Sequence, residues 1–236
     1  GVNVNKIFSE QSGAVIATAH RGSLYDIPFD TLFTFLELHH QVVDVDTVFL
    51  YSPDFRAMAH GYLHHRVTPQ QVYVDSVTLL FKDQELHNRG QIELAVDDHG
   101  VTIERGAVAS GGSMAMALGR YDYDGGLNLA LSVNDVPIRD WASLFRPDFP
   151  LDGRASLQGM LRGSLRAPVF DLKGEVDSVA WKTLVLGDLK MDVSYHDRIL
   201  TIDSSQLTSD TGIYRAHGTL NVDLDMTADS IQILDR

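Results

Sequence analysis

At 236 residues, 44% apolar and 22% charged, the chain has ordinary globular composition and enough length to bury a sizeable core. A formal net charge of −13 with 19 Lys plus Arg argues against nucleic acid and against flat docking on anionic lipid, since both depend on clustered cations. Cysteine is absent, which excludes disulfide frameworks, thiolate zinc sites and cysteine nucleophiles, and no run reaches the ~20 apolar residues of a membrane-spanning helix.

Residues 1–13, GVNVNKIFSEQSG, have neither the basic start nor the apolar stretch of a signal peptide. The segment PFDTLFTFLELHH, 28–40, has helical propensity, but an internal repeat favours strand. Beyond it, apolar and polar residues alternate with the period of two that marks half-buried strands. Val43 and Val45 open this pattern, followed by Ile92, Leu94 and Val96, then Val101 and Ile103, then Leu127, Leu129 and Leu131. Turn signals separate the runs: HNRG at 87–90, DDHG at 97–100, SGG at 110–112, DYDGG at 122–126 and YHDR at 195–198.

The stretch 136–150 breaks the rule. Ile138, Trp141, Leu144 and Phe145 fall at helical spacing between Asp135 as a cap and Pro147 as a stop, which predicts one short helix near 138–145. Alternation then resumes in DGRASLQGMLRGSLRAPVFDLKGEV, 152–176, with Leu157, Leu161 and Leu165 on one face and arginines on the other. Leu172 continues it, as do Leu189, Met191 and Val193, then Leu200 and Ile202, and finally Leu220 and Val222. Glycines 61, 119, 159, 163, 174 and 218 interrupt these runs, where they mark bends or close backbone approach.

Sliding the chain by 157 positions superposes 29–63 on 186–220 without a gap, so that Leu32 meets Leu189, Asp46 meets Asp203, and Ala59-His60-Gly61 meets Ala216-His217-Gly218. A third copy, 101–121, aligns Ile103 with Val45 and Ala117-x-Gly119 with the other two triplets. Repeat units of about 17–63, 90–121 and 174–220 predict one repetitive sheet segment that grows by adding hairpins.

Candidate chemistry is sparse. On a strand, His60 and His64 share a face but lie ~13 Å apart, while His64 and His65 point to opposite faces, so neither pair closes around one metal. The acidic runs VDVD at 43–46, DYDGG at 122–126 and VDLD at 222–225 lack the spacing of calcium loops. GGSMA at 111–115 falls in a turn and lacks the second glycine of a nucleophile elbow. The chain therefore reads as a non-enzyme with no metal and no cofactor.

The phrase LDGRASLQGMLRGSLRAPVFDLKGEV, 151–176, with its Gly-x5-Gly-x3-Gly spacing from Gly153 to Gly163, resembles the recurring segment of the TamB and AsmA-like family, the translocation and assembly module proteins that act as bridge-like lipid carriers. So does 184–224, where a hairpin leads through a polar turn into an Ala-x-Gly-x-Leu strand. The resemblance implies an all-β fold: a long, curved, mainly antiparallel sheet of repeated hairpins rolled into an open, taco-like groove. It also implies a periplasmic location, in a longer protein anchored to the inner membrane by a segment absent here. An Omp85-type outer-membrane barrel is then a partner through regions outside this chain.

On this reading phospholipid acyl chains occupy the groove, lined by Val43, Val45, Ile92, Leu94, Val96, Val101, Ile103, Leu127, Leu129, Leu131, Leu157, Leu161, Leu165, Leu172, Leu189, Met191, Val193, Leu200, Ile202, Leu220 and Val222. The alternatives are a closed β-sandwich and a scaffold that takes up strands of outer-membrane proteins at an exposed edge.

Overall fold

A computed structural model describes residues 5–9, 12–24, 27–53, 55–81, 84–139, 150–225 and 232–233. The fold is all-β and antiparallel, built from consecutive hairpins, and the chain divides into two compact units, 1–111 and 112–236. Ile138 and Arg139 take helical backbone, and the remainder of the expected helix, including Trp141, Leu144 and Phe145, lies outside the described residues.

In the first unit β1 (Asn5–Ser9) pairs with β2 (Ser12–Leu24), which leads through β3 (Ile27–Leu38), β4 (Val42–Ser52) and β5 (Phe55–His64) to β6 (Gln70–Phe81), each antiparallel to its predecessor. The segment with helical propensity is thus strand, its β-branched and aromatic residues packing on a pleated surface. The long β6 then pairs along one side with both β7 (Gln84–Asn88) and β8 (Ile92–Val96). β9 (Gly100–Arg105) pairs with β8, and β10 (Ala107–Ser110) with β7.

The second unit is a meander of β11 (Ser113–Asp122), β12 (Gly126–Pro137), β13 (Leu151–Ser164), β14 (Pro168–Trp181), β15 (Leu184–His196), β16 (Ile199–Ser209) and β17 (Gly212–Asp223). A short β18 (Gln232–Ile233) adds to the end of β17. One of the two-residue loops of this unit, Asp197 and Arg198 between β15 and β16, has φ of 51° and 66°, the left-handed pair of a type I′ hairpin turn.

The sequence repeat is a repeat of structure. Moved by 157 positions, the limits of β4 become those of β16, and the register partners Leu36↔Val45 and Leu32↔Leu50 become Val193↔Ile202 and Leu189↔Leu207. Bulges recur as well. The one between Val45 and Val48, opposite β5, reappears between Ile202 and Ser205, opposite β17. The likeness extends back into β2 and β14, where Arg21 and Ser178, equivalent positions, both have φ of 55°. In the third copy the first strand is divided, as β9 and β10, at Gly106.

Candidate functional site

Register decides which side chains share a face, because directly opposed residues on neighbouring strands project to the same side. In the second unit one row runs Gly119, Leu129, Leu161, Phe170, Tyr195, Leu200 and Leu220, across β11 to β17. The next runs Ala117, Leu131, Gly159, Leu172, Val193, Ile202 and Gly218, and a third Ala115, Val133, Leu157, Gly174, Met191, Ser205 and Ala216. These rows are apolar over most of their length, and their glycines and alanines leave furrows between larger side chains.

Over β13 to β15 the reverse face of this unit is polar, whereas on β11 it exposes Met116 and Leu118. Lys173 pairs with Asp192 at 2.8 Å, Lys190 with Glu175 at 3.4 Å, and Arg162 with Asp171 at 3.4 Å, all across neighbouring strands. The hydrogen bond to Asp192 raises the Lys173 ammonium above its ordinary pKa, and the nearby charge of Asp192 adds to this. Exposed pairs of this kind are screened by solvent, so their main effect is on register and solubility.

In the first unit the row Val15, Leu36, Val45, Gly61, Val74 and Ile92 lies beside Leu38, Val43, Leu63, Val72, Leu94 and Ile103. Val96 and Val101 are opposed at the tip of the β8–β9 hairpin. The reverse face here departs from the polar outside the alternation predicts: Phe33, Phe49 and Met58 are directly opposed on it, and Met58 is exposed.

The apolar face of the second unit is concave at one end. The Tyr195 hydroxyl donates to the Val222 carbonyl at 3.0 Å and accepts from the Leu224 amide at 3.1 Å. Tyr195 stands on β15 and its partners on and just beyond β17, two strand spacings or about 10 Å away in a flat sheet. The end of β17 therefore bends inward over the row that Tyr195 shares with Phe170, whose ring stacks on it at 5.4 Å. Tyr195 and Val222 are buried there. Beside this end the face is open, with Ile202 at 37% and Leu220, two residues before Val222, at 46% exposure. Beside Leu207 and Tyr214 the surface sinks into an open depression of about 720 Å³ that also touches Leu184, Val185 and Leu186.

Of the residues expected to line a groove, all but Leu165 lie on strands in these apolar rows or their continuations. Leu165 falls in the turn between β13 and β14 and is exposed, because β13 ends at Ser164, one residue short of it. Val222 is sealed rather than open, covered by the bend that Tyr195 fastens. The other residues in question are half-buried, apart from the exposed Ile202 and Leu220. Sequence reasoning left out Phe170, Tyr195, Leu36, Leu63, Val72 and Val74, which the register brings into the same rows. For Leu63, Val72 and Val74 the alternation in YLHHRVTPQQVYV, 62–74, was the available signal.

Among the described residues no apolar side chain is less than 2% exposed. His39 lies 3.1 Å from Asp44 and 3.7 Å from Glu37, and His60 3.8 Å from Asp75; among the described residues no three such groups are placed to hold a metal ion. Some strand glycines serve close approach: a Cβ on Gly159 would lie 2.0 Å from the Asp171 carbonyl oxygen of the next strand. Comparison with protein-family models, curated proteins and solved structures finds no match to this chain.

Proposed function

We propose that the chain is a segment of a lipid-carrying bridge, whose apolar faces shelter phospholipid acyl chains while the head groups stay in solvent. The observation that supports this most strongly is the set of apolar rows that cross successive hairpins in each unit and stay half-buried. Each CH₂ removed from water contributes about 0.8 kcal/mol, so a diacyl lipid with roughly thirty of them does not cross an aqueous compartment unshielded at a useful rate. Furrows between large and small side chains suit a flexible methylene chain better than they suit a rigid ligand.

The resemblance to TamB and AsmA-like proteins supplies the setting. On that reading the compartment is the periplasm, the intact protein is held in the inner membrane by a segment outside this chain, and an Omp85-type barrel is met through other regions. No catalytic role is assigned.

Leu129 and Leu161 are directly opposed in a row that crosses β11 to β17, which makes them the place to test the reading. Replacing both by glutamate is expected to abolish co-purified lipid in native mass spectrometry while circular dichroism still reports a β-fold. Wild-type protein without lipid, or a variant that unfolds because a sealed core was charged, would count against the proposal.

A further inference from the structure

The two gap-free copies of the repeat keep one register on the reverse face and place opposite kinds of side chain there. Moved by 157 positions, the directly opposed pair Ile16↔Phe35 becomes Lys173↔Asp192, Thr18↔Phe33 becomes Glu175↔Lys190, and Phe49↔Met58 becomes Gln206↔Arg215. In the second copy these positions hold two ion pairs, at 2.8 and 3.4 Å, and a hydrogen bond that Arg215 Nε donates to Gln206 Oε1 at 3.2 Å. In the first they form an apolar cluster. Ile16 is 41% and Met58 53% exposed, and the three phenylalanines between them are half-buried.

This patch is a face and not an edge, because β2 to β5 each have a paired strand on both sides. Nor does the hairpin scaffold require it, since β14 to β17 make the same strands with charges at the same places. Clustered apolar side chains on an outward surface mark a site of interaction. The ends of the patch carry unlike charge. At one, Glu37 and Asp44 are directly opposed; at the other, Arg56 lies over the Tyr51 ring, 5.3 Å from its centroid.

We propose that this face of β2 to β5 is a self-association surface, on which two copies of the chain pack around a two-fold axis that crosses the strands between Phe33 and Phe35. That axis sets Phe33 of one copy over the partner's Phe35 and brings Arg56 to the partner's acidic end, so the patch complements itself in both apolar contact and charge. Sheets stacked this way stand about 10 Å apart. Four strands by six residues make a patch of roughly 15 by 20 Å. That is well below the ~800 Å² per partner of a standard interface, so the dimer is reversible. The net charge of −13 opposes it at long range, and salt at about 0.15 M screens charges more than about 8 Å apart while leaving the contact itself.

Sedimentation of the full chain over a concentration series at that salt tests the proposal. Wild type is expected to shift from one chain to two. Ile16→Lys with Phe35→Asp, and separately Phe49→Gln with Met58→Arg, give the first copy the side chains that the second carries in the same register. Each double variant is expected to keep the wild-type circular dichroism and to raise the dimer dissociation constant at least tenfold; if one fails to fold, the other decides. Arg56→Asp is expected to weaken the dimer, and Asp44→Arg in the same chain to restore it. A wild-type mass of one chain up to about 1 mM, unchanged affinity in the folded double variants, or no recovery with Asp44→Arg would overturn the proposal.

Discussion

Asp135 is where several backbone demands meet on one residue. Its φ of 54° is left-handed, a conformation aspartate and asparagine tolerate better than most, and it sits in the bulge between Val133 and Val136. Its carbonyl accepts from Ser113 Oγ at 2.8 Å and from Arg154 Nη2 at 2.8 Å, while its carboxylate accepts from Arg154 Nη2 at 2.6 Å and from Arg154 Nε. The hydrogen bond from Arg154 holds the carboxyl below its ordinary value of 3.8. A depressed folded value means that the ionised form stabilises the fold above 3.8 and that this contribution fades as pH falls through the lower folded value. Asp135→Asn, which keeps the tolerance for that φ, is therefore expected to melt below wild type at neutral pH, with the gap closing in acid below 3.8. Thermal melts across that range check it, and a gap independent of pH would contradict it.

Gly159 illustrates the opposite constraint, space rather than conformation. With 2.0 Å between an added Cβ and the Asp171 carbonyl, Gly159→Ala must push β13 and β14 apart. An overpacking cost of about 1–3 kcal/mol is expected in denaturant unfolding. At Gly218 an added Cβ would meet nothing within 4 Å; the two glycines look alike in an alternating sequence, and only the neighbouring strand tells them apart.

Among the elements, β17 carries the most consequence. Its residues 213–220 form an exposed edge, and its last residues are held by the Tyr195 hydroxyl on β15, by the Val222 amide donating to the Arg198 carbonyl at 2.9 Å and by pairing with β18. Tyr195→Phe removes that hydroxyl and leaves the Val222 carbonyl and the Leu224 amide without it, at an expected cost of about 1–3 kcal/mol. Hydrogen exchange should quicken at 222–224 while β12 and β13 keep their protection. Unchanged exchange there would mean that the bend over the apolar face is held by something else. The hairpins elsewhere are held by register, and their bulges fall at the same places in both copies, opposite the strand that carries Ala-x-Gly. A bulge strengthens local twist, so repeating it repeats the bend.

For the molecule as a whole the relevant balance is between apolar faces left half-buried and a net charge of −13 that discourages association through them. If acyl chains are the ligand, affinity must grow with chain length. For lysophospholipids used as monomers, each added CH₂ is expected to tighten binding up to about fourfold, the equivalent of 0.8 kcal/mol, and less where shelter is partial. Isothermal titration of a chain-length series measures the slope, and a flat series would remove the hydrocarbon from the account.

Much of this was legible before any coordinates. Period-two alternation has one physical meaning, a pleated strand with unlike faces, so the all-β hairpin architecture and most residues of the apolar rows followed from residue order alone. So did the repeat of 29–63 in 186–220, in which the limits of β4 and β16 correspond. The tertiary structure decided what depends on neighbours distant in sequence: where β13 stops short of Leu165, how Tyr195 draws β17 over Val222, and which strand glycine has a strand against it. Alternation specifies a side chain's face, whereas only the packed register specifies what stands opposite, and that difference separates a lining residue from a turn, a seal or an open edge.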